Sequence, residues 1–232
     1  MTVAAVILAL TPDVALADAE GVPRVRRIVD AAWSGGAMPI IVIADDPVGA
    51  MATALAGAPV TLAAPAPMES GRVAQLLRGI EVAEAEVHGP TGALIWPARM
   101  SWVGPETITS LVEAHGPDVN ALIRPTFRGE VGWPALVPLT ALGTLRGLPT
   151  TAMPDQLIEM LAASAQVPVQ SIDLGDPGTT IDGETALADL PPYEGPAEPS
   201  GAHEWGAATA EMTDDAPLEG PARVEVRGPS GA

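Results

Sequence analysis

The chain has no lysine: all 11 basic residues are arginine, against 29 aspartates and glutamates. Any mechanism that needs a catalytic lysine from this chain is thereby excluded. It has no cysteine either, which removes a disulfide framework, a thiolate metal site and a cysteine nucleophile. Aromatic residues make up only 3% of the chain. That suits helices packed on a sheet through Ala, Val, Ile and Leu better than an aromatic-rich β-sandwich. Basic charge is scarce enough to leave a formal net charge of -18, and general nucleic-acid binding is not expected, because phosphate contacts need Lys and Arg. The opening apolar run, 3–10, is too short to span a membrane. With no basic flank before it and no clear cleavage signal, it reads as a strand and not a signal peptide, so the expected location is the cytoplasm. A composition with only arginine as base and rich in Ala, Gly and Pro is also what a GC-rich genome produces.

What remains is a length of 232 residues, enough for one domain with a full core and a tail. Short apolar runs alternate with periodic segments. Strands are expected at 3–10, 39–44, 60–62, 93–96, 121–125, 134–138 and 167–173, with a hairpin turn at 127–132. Helices are expected at 25–33, 48–56, 71–86, 105–114, 140–145, 154–163 and 185–190, many closed by glycine, as at Gly35-Gly36 and Gly57. Such alternation indicates βαβ units in a three-layer α/β fold with a mostly parallel sheet. The domain is expected to cover 1–194. Residues 195–232 are acidic and rich in Pro, Gly and Ala, with few large apolar residues beyond Trp205, Met212, Leu218, Val224 and Val226. Such a segment cannot offset an ordering entropy of roughly 1–2 kcal/mol per residue, so it reads as a flexible tail.

An apolar first strand, a loop and a helix open many nucleotide-binding domains, where backbone N–H groups hold phosphates. Here residues 11–20 contain no glycine and no base, and Asp13, Asp18 and Glu20 make them acidic. The local stretches nevertheless resemble the MobA-like NTP-transferase family, and within it the molybdenum-cofactor cytidylyltransferases. Gly21-Val22-Pro23-Arg24-Val25 resembles the family's "Gly-x-Pro-Leu-Leu". Gly132-Trp133-Pro134-Ala135-Leu136 resembles "Gly-His-Pro-Val-Leu", and the segment from Asp182-Gly183-Glu184-Thr185 to Asp189-Leu190 resembles "Asp-x-Asp-Thr-x-x-Asp-Leu". The resemblance runs from Val3 to about Tyr193. It implies a Rossmann-like fold and transfer of a nucleotidyl group from CTP or GTP to a phosphorylated acceptor, with Mg²⁺ held by carboxylates.

The departures fall on that chemistry. Where the family signature resembles "Leu-Ala-Ala-Gly-x-Ser-x-Arg-Met-Gly-x-x-Lys", this chain has Leu8-Ala9-Leu10-Thr11 and then diverges. Arg99 falls where the resemblance places a metal-binding aspartate. Thr11, Arg24 and Arg99 are the candidates for nucleotide or anion contact; Arg24 and Arg99 have solvated arginines as the alternative. Asp182 and Glu184 are the metal candidates, with Asp173 and Asp176 nearby, and turn formation or helix capping is their other role. The resemblance puts Trp96, Trp102 and Trp133 at the edge of a substrate cleft, against packing in core or rim. His88, His115 and His203 have no metal-ligand spacing. Three functions follow. The first is a degenerate transferase-fold protein that binds a phosphorylated small molecule or a protein partner, with molybdenum-enzyme maturation as the setting the resemblance implies. The second is an active nucleotidyltransferase using Mg²⁺ and CTP or GTP at an altered site. The third is a structural subunit.

Overall fold

The opening run forms β1 (Val3–Leu8), with every side chain buried. A strand buried on both faces needs helices on both sides of its sheet, and the rest of the chain supplies them. In the computed structural model, which describes residues 2–195, the chain continues through α1 (Pro12–Leu16), β2 (Asp18–Ala19), β3 (Val22–Pro23), α2 (Arg24–Ser34) and β4 (Ile40–Ile43). Next come α3 (Ala50–Ala54), β5 (Thr61–Ala63), α4 (Gly71–Glu86), β6 (Gly92–Pro97) and α5 (Pro105–His115). The remainder is β7 (Leu122–Phe127), β8 (Glu130–Val131), β9 (Ala135–Pro138), α6 (Leu142–Arg146), α7 (Pro154–Ala162) and β10 (Val169–Asp173). The tail assigned to 195–232 lies, Gly195 apart, outside the described residues.

The main sheet runs β10-β7-β9-β6-β1-β4-β5, with β8 hydrogen-bonded to β7. β1 pairs in parallel with β4 on one side, Ala5 opposite Ile40, and with β6 on the other, Val6 opposite Ile95. β9 is antiparallel to both β6 and β7. The expectation of a mostly parallel sheet between helical layers therefore holds. Helix α4 packs on β1 and β4, and α2 packs with α5. Close approach is built in at Gly79: a Cβ there would lie 2.2 Å from Val6 Cγ1, so only glycine lets α4 sit this near the central strand.

The chain leaves β1 toward β4 and β5 and then returns to place β6 on the opposite side. This makes the carboxyl end of β1 a topological switch point, where open α/β sheets form their ligand crevice. The segment 11–20, read as a loop, instead holds α1 and the first strand of a small hairpin of β2 and β3. The hairpin turns through Glu20 and Gly21, both at positive φ (58° and 83°). The helix expected at 185–190 is only a 3₁₀ turn, Leu187–Asp189, in which no residue is buried and so no packing extends it. Among the described residues, no helix is long and apolar enough to cross a membrane.

Candidate functional site

Three chambers lie end to end along the carboxyl ends of the strands. The inner one, about 360 Å³, is lined by Leu10, Asp45, Pro65, Met68 and Arg72, among others. The middle one, about 200 Å³, lies between Thr11 and Val14, Pro97 and Ala98, and Met153 to Asp155, with Arg72 and Arg99 facing it. The outer one, about 330 Å³, is bounded by Arg99, Trp133, Asp155, Thr179 and Asp182. Arg72 is common to the first two and Arg99 to the last two, so the chambers form one cleft with an arginine at each junction.

Local sequence explains the placement. Arg72 is the second residue of α4, which follows the proline-rich stretch after β5. That stretch is clamped by Gln75, which is buried: its amide accepts from Ala66 N–H and donates to Ala66 C=O, both at 2.8 Å. Arg72 makes no side-chain ion pair among the described residues. Arg99 follows β6 directly. Its guanidinium donates to Asp155 Oδ1 at 3.1 Å, and the same oxygen accepts from Trp133 Nε1 at 2.9 Å. Beneath Trp133, Arg124 is buried on β7 and donates to Glu159 at 2.8 Å. Asp46, beside the inner chamber, caps α3; the N–H groups of Ala52 and Met51 hold its carboxyl below the usual carboxylate range.

The expected residues are only partly brought together. Thr11 and Arg99 share the middle chamber, and Arg99, Trp133 and Asp182 the outer one. Arg24 is elsewhere: buried at the start of α2, it donates to Gly183 C=O at 2.6 Å and faces Glu184 at 3.9 Å. Trp96 is fully buried in β6, its indole N–H donating to Met100 C=O at 2.8 Å, so it belongs to the core and not to the cleft edge. A strand covered on both faces leaves none of its side chains at a rim. Trp102 is buried as well, donating to Thr185 C=O at 2.9 Å with Arg27 over its ring. The acidic residues Asp13, Asp18 and Glu20 line none of the three chambers; Asp18 accepts from Gly21 N–H within the hairpin.

The metal candidates do not converge. Asp182 accepts from Glu184 N–H in a local turn, and Glu184 leans on Arg24. Asp176 is buried and taken up by three donors, Gly104 N–H, Thr107 Oγ1 and Gly178 N–H. Among the described residues, no three His, Asp or Glu side chains are placed to hold a metal ion. Asp182 and Glu184 thus stand as separate carboxylates, each with a local partner, and not as a shared set of protein ligands. Two residues escaped notice in the sequence, Arg72 and Asp155. Both stand in the first turn of a helix, and only the fold shows that those two helices open onto the same crevice.

A mostly parallel sheet between helices, with a crevice at the switch point beside β1, places the chain among the ligand-binding α/β folds of Rossmann-like form. The chain belongs to the family of MobA-like NTP transferase domains, whose profile matches residues 11–167. Among solved structures, it is similar to Rv0371c of Mycobacterium tuberculosis H37Rv, solved with manganese: 21% identity, TM-score 0.57, over 75% of this chain and 88% of that one. It is also similar to a nucleotidyl transferase from Methanothermobacter thermautotroptrophicus, with 21% identity, TM-score 0.57 and coverage of 74% and 87%. For 2-C-methyl-D-erythritol 4-phosphate cytidylyltransferase from Thermus thermophilus the values are 16%, 0.57, 82% and 96%. At these identities the likeness is one of fold. A search of curated proteins returns no match.

Proposed function

We propose that the protein binds a nucleotide or another phosphorylated small molecule in the strand-end cleft and does not transfer the nucleotidyl group. One observation carries this reading: arginines stand at both junctions of an open cleft, while the carboxylates along it are single or already paired. Arginine replaces lysine as a phosphate clamp, but not a carboxylate as a metal ligand. Affinity should therefore come from direct guanidinium contacts and be insensitive to Mg²⁺. The open chambers favour a ligand-binding role over a purely structural subunit, whose cleft could be filled by side chains. A place in molybdenum-cofactor maturation, in the cytoplasm, follows from the resemblance to the cofactor cytidylyltransferases and is part of the proposal. Co-purification from the native host tests that part.

Calorimetry with CTP and GTP, with and without Mg²⁺, tests the central claim, followed by a pyrophosphate-release assay with a molybdopterin acceptor. The expected result is Mg²⁺-independent binding without turnover. Binding that requires Mg²⁺, accompanied by pyrophosphate release, would establish the active transferase instead.

A further inference from the structure

The three chambers differ in charge. Arg72 is matched by Asp45 in the inner chamber, and Arg99 is outnumbered by Asp155 and Asp182 in the outer one. The middle chamber has two arginines against one aspartate. On a chain of net charge -18, that excess of positive charge is local, and it is set by a single carboxylate. Asp155 holds Arg99 at 3.1 Å, and the pair is open to solvent, with side chains 39% (Arg99) and 53% (Asp155) exposed. Such a pair is weak enough to be exchanged.

Resting on the ligand-binding reading above, we propose that Asp155 is an internal counter-anion for Arg99. A phosphate-bearing ligand enters the middle chamber by displacing Asp155 from the guanidinium, so Asp155 sets the affinity of the site. The geometry permits the exchange at low cost. Asp155 Oδ1 keeps the indole N–H of Trp133 as a second partner at 2.9 Å, so losing Arg99 does not strand the carboxylate. Arg72, which also lines the chamber and has no ion pair among the described residues, gives the incoming anion a second positive group. Two guanidinium groups facing a chamber of about 200 Å³ suit a compact anion with several oxygens, a phosphate or diphosphate group. The group could be free or part of a nucleotide.

The test is titration calorimetry of the full chain with inorganic pyrophosphate and, separately, with CTP. Asp155→Asn removes the charge and keeps the oxygen that Trp133 uses. It should bind pyrophosphate more tightly than the wild type, on the order of three- to ten-fold, since one competing charge is lost beside a partly solvated site. In an Arg99→Gln background, the same substitution should gain much less. A gain for pyrophosphate and CTP alike identifies the phosphate group as the ligand chemistry; a gain for CTP alone places it within a nucleotide. If the wild type binds either probe and Asp155→Asn leaves affinity unchanged or lower, the counter-anion role is overturned while the ligand-binding reading stands. If neither protein binds either probe, both fall.

Discussion

Asp155 and Asp176 carry the same carboxylate into two regions that treat it in opposite ways. In the cleft, Asp155 faces solvent and meets Arg99 and Trp133. Behind it, in the turn after β10, Asp176 is 4% exposed and receives three hydrogen bonds, from Gly104 N–H (3.0 Å), Thr107 Oγ1 (2.6 Å) and Gly178 N–H (2.8 Å). One carboxylate thereby ties the start of α5 to the last turns of the domain. A buried anion with its oxygens so occupied is a structural part, whereas an exposed anion on a single arginine can change partners. By sequence alone the two aspartates look alike, each beside a proline.

Removing Asp176 should break the comparison most visibly. Asp176→Ala leaves three donors without their acceptor around an almost wholly buried position. The expected loss is roughly 3–4 kcal/mol of unfolding free energy, measured by urea denaturation. A loss under about 1 kcal/mol would mean that the turn is not held by this residue. A smaller effect is expected at the rim of the cleft. Gln75→Ala deletes both bonds to Ala66, and since that loop borders solvent, the cost should be about 1–2 kcal/mol. The same substitution should weaken ligand binding, because the clamped segment carries Pro65 and Met68 into the inner chamber. Stability lost without any change in nucleotide affinity would detach the loop from the site.

The buried His115 gives a third, pH-dependent probe. Its Nε2 meets Thr91 Oγ1 at 3.1 Å at the foot of β6. Burial pushes its pKa below the ordinary histidine value, a shift only partly opposed by the backbone of Thr91 and by the charge of Asp118. The unfolded chain therefore takes up the proton first. Native stability should fall as pH drops below about 6.5, the unperturbed value, and stop falling on this account below the folded-state pKa. His115→Gln should flatten the stability profile between about pH 6.5 and 5, above the range in which carboxylates begin to protonate. An unchanged slope would assign it to other groups.

Most of the architecture was legible because its signals are local. Gly71 and the repeat of Val73, Leu76, Ile80 and Ala83 specify α4 from end to end, and the run from Val3 specifies β1. What escaped depended on distant partners. The direction of β9 is set by pairing with β6 and β7, which short apolar runs do not encode. The hairpin at Asp18 to Pro23 turns on Glu20-Gly21, a weaker signal than Asn-Gly. At the site, Thr11 and Arg99 could be named from their places after strands, but Arg72 and Asp155 could not. Trp96 was misplaced for a related reason: its strand's position in the middle of the sheet, with cover on both faces, is a property of the whole fold.

The smallest effect is expected where function is expected to concentrate. Asp155→Asn should change unfolding free energy by no more than about 0.5 kcal/mol, because an ion pair this open to solvent contributes little, and asparagine still accepts from Trp133. Asp155→Ala removes that acceptor too. The Trp133 ring is 5% exposed, so its N–H would lose a partner in a largely buried setting, at a cost of about 1 kcal/mol. The difference between the two variants in denaturant melts isolates the Trp133 bond from the Arg99 pair. If Asn costs as much as Ala, the Arg99 pair is structural, and Asp155 resembles Asp176 after all. If Asn is neutral while Ala is not, Asp155 holds its position through Trp133, and Arg99 is left free to exchange its partner.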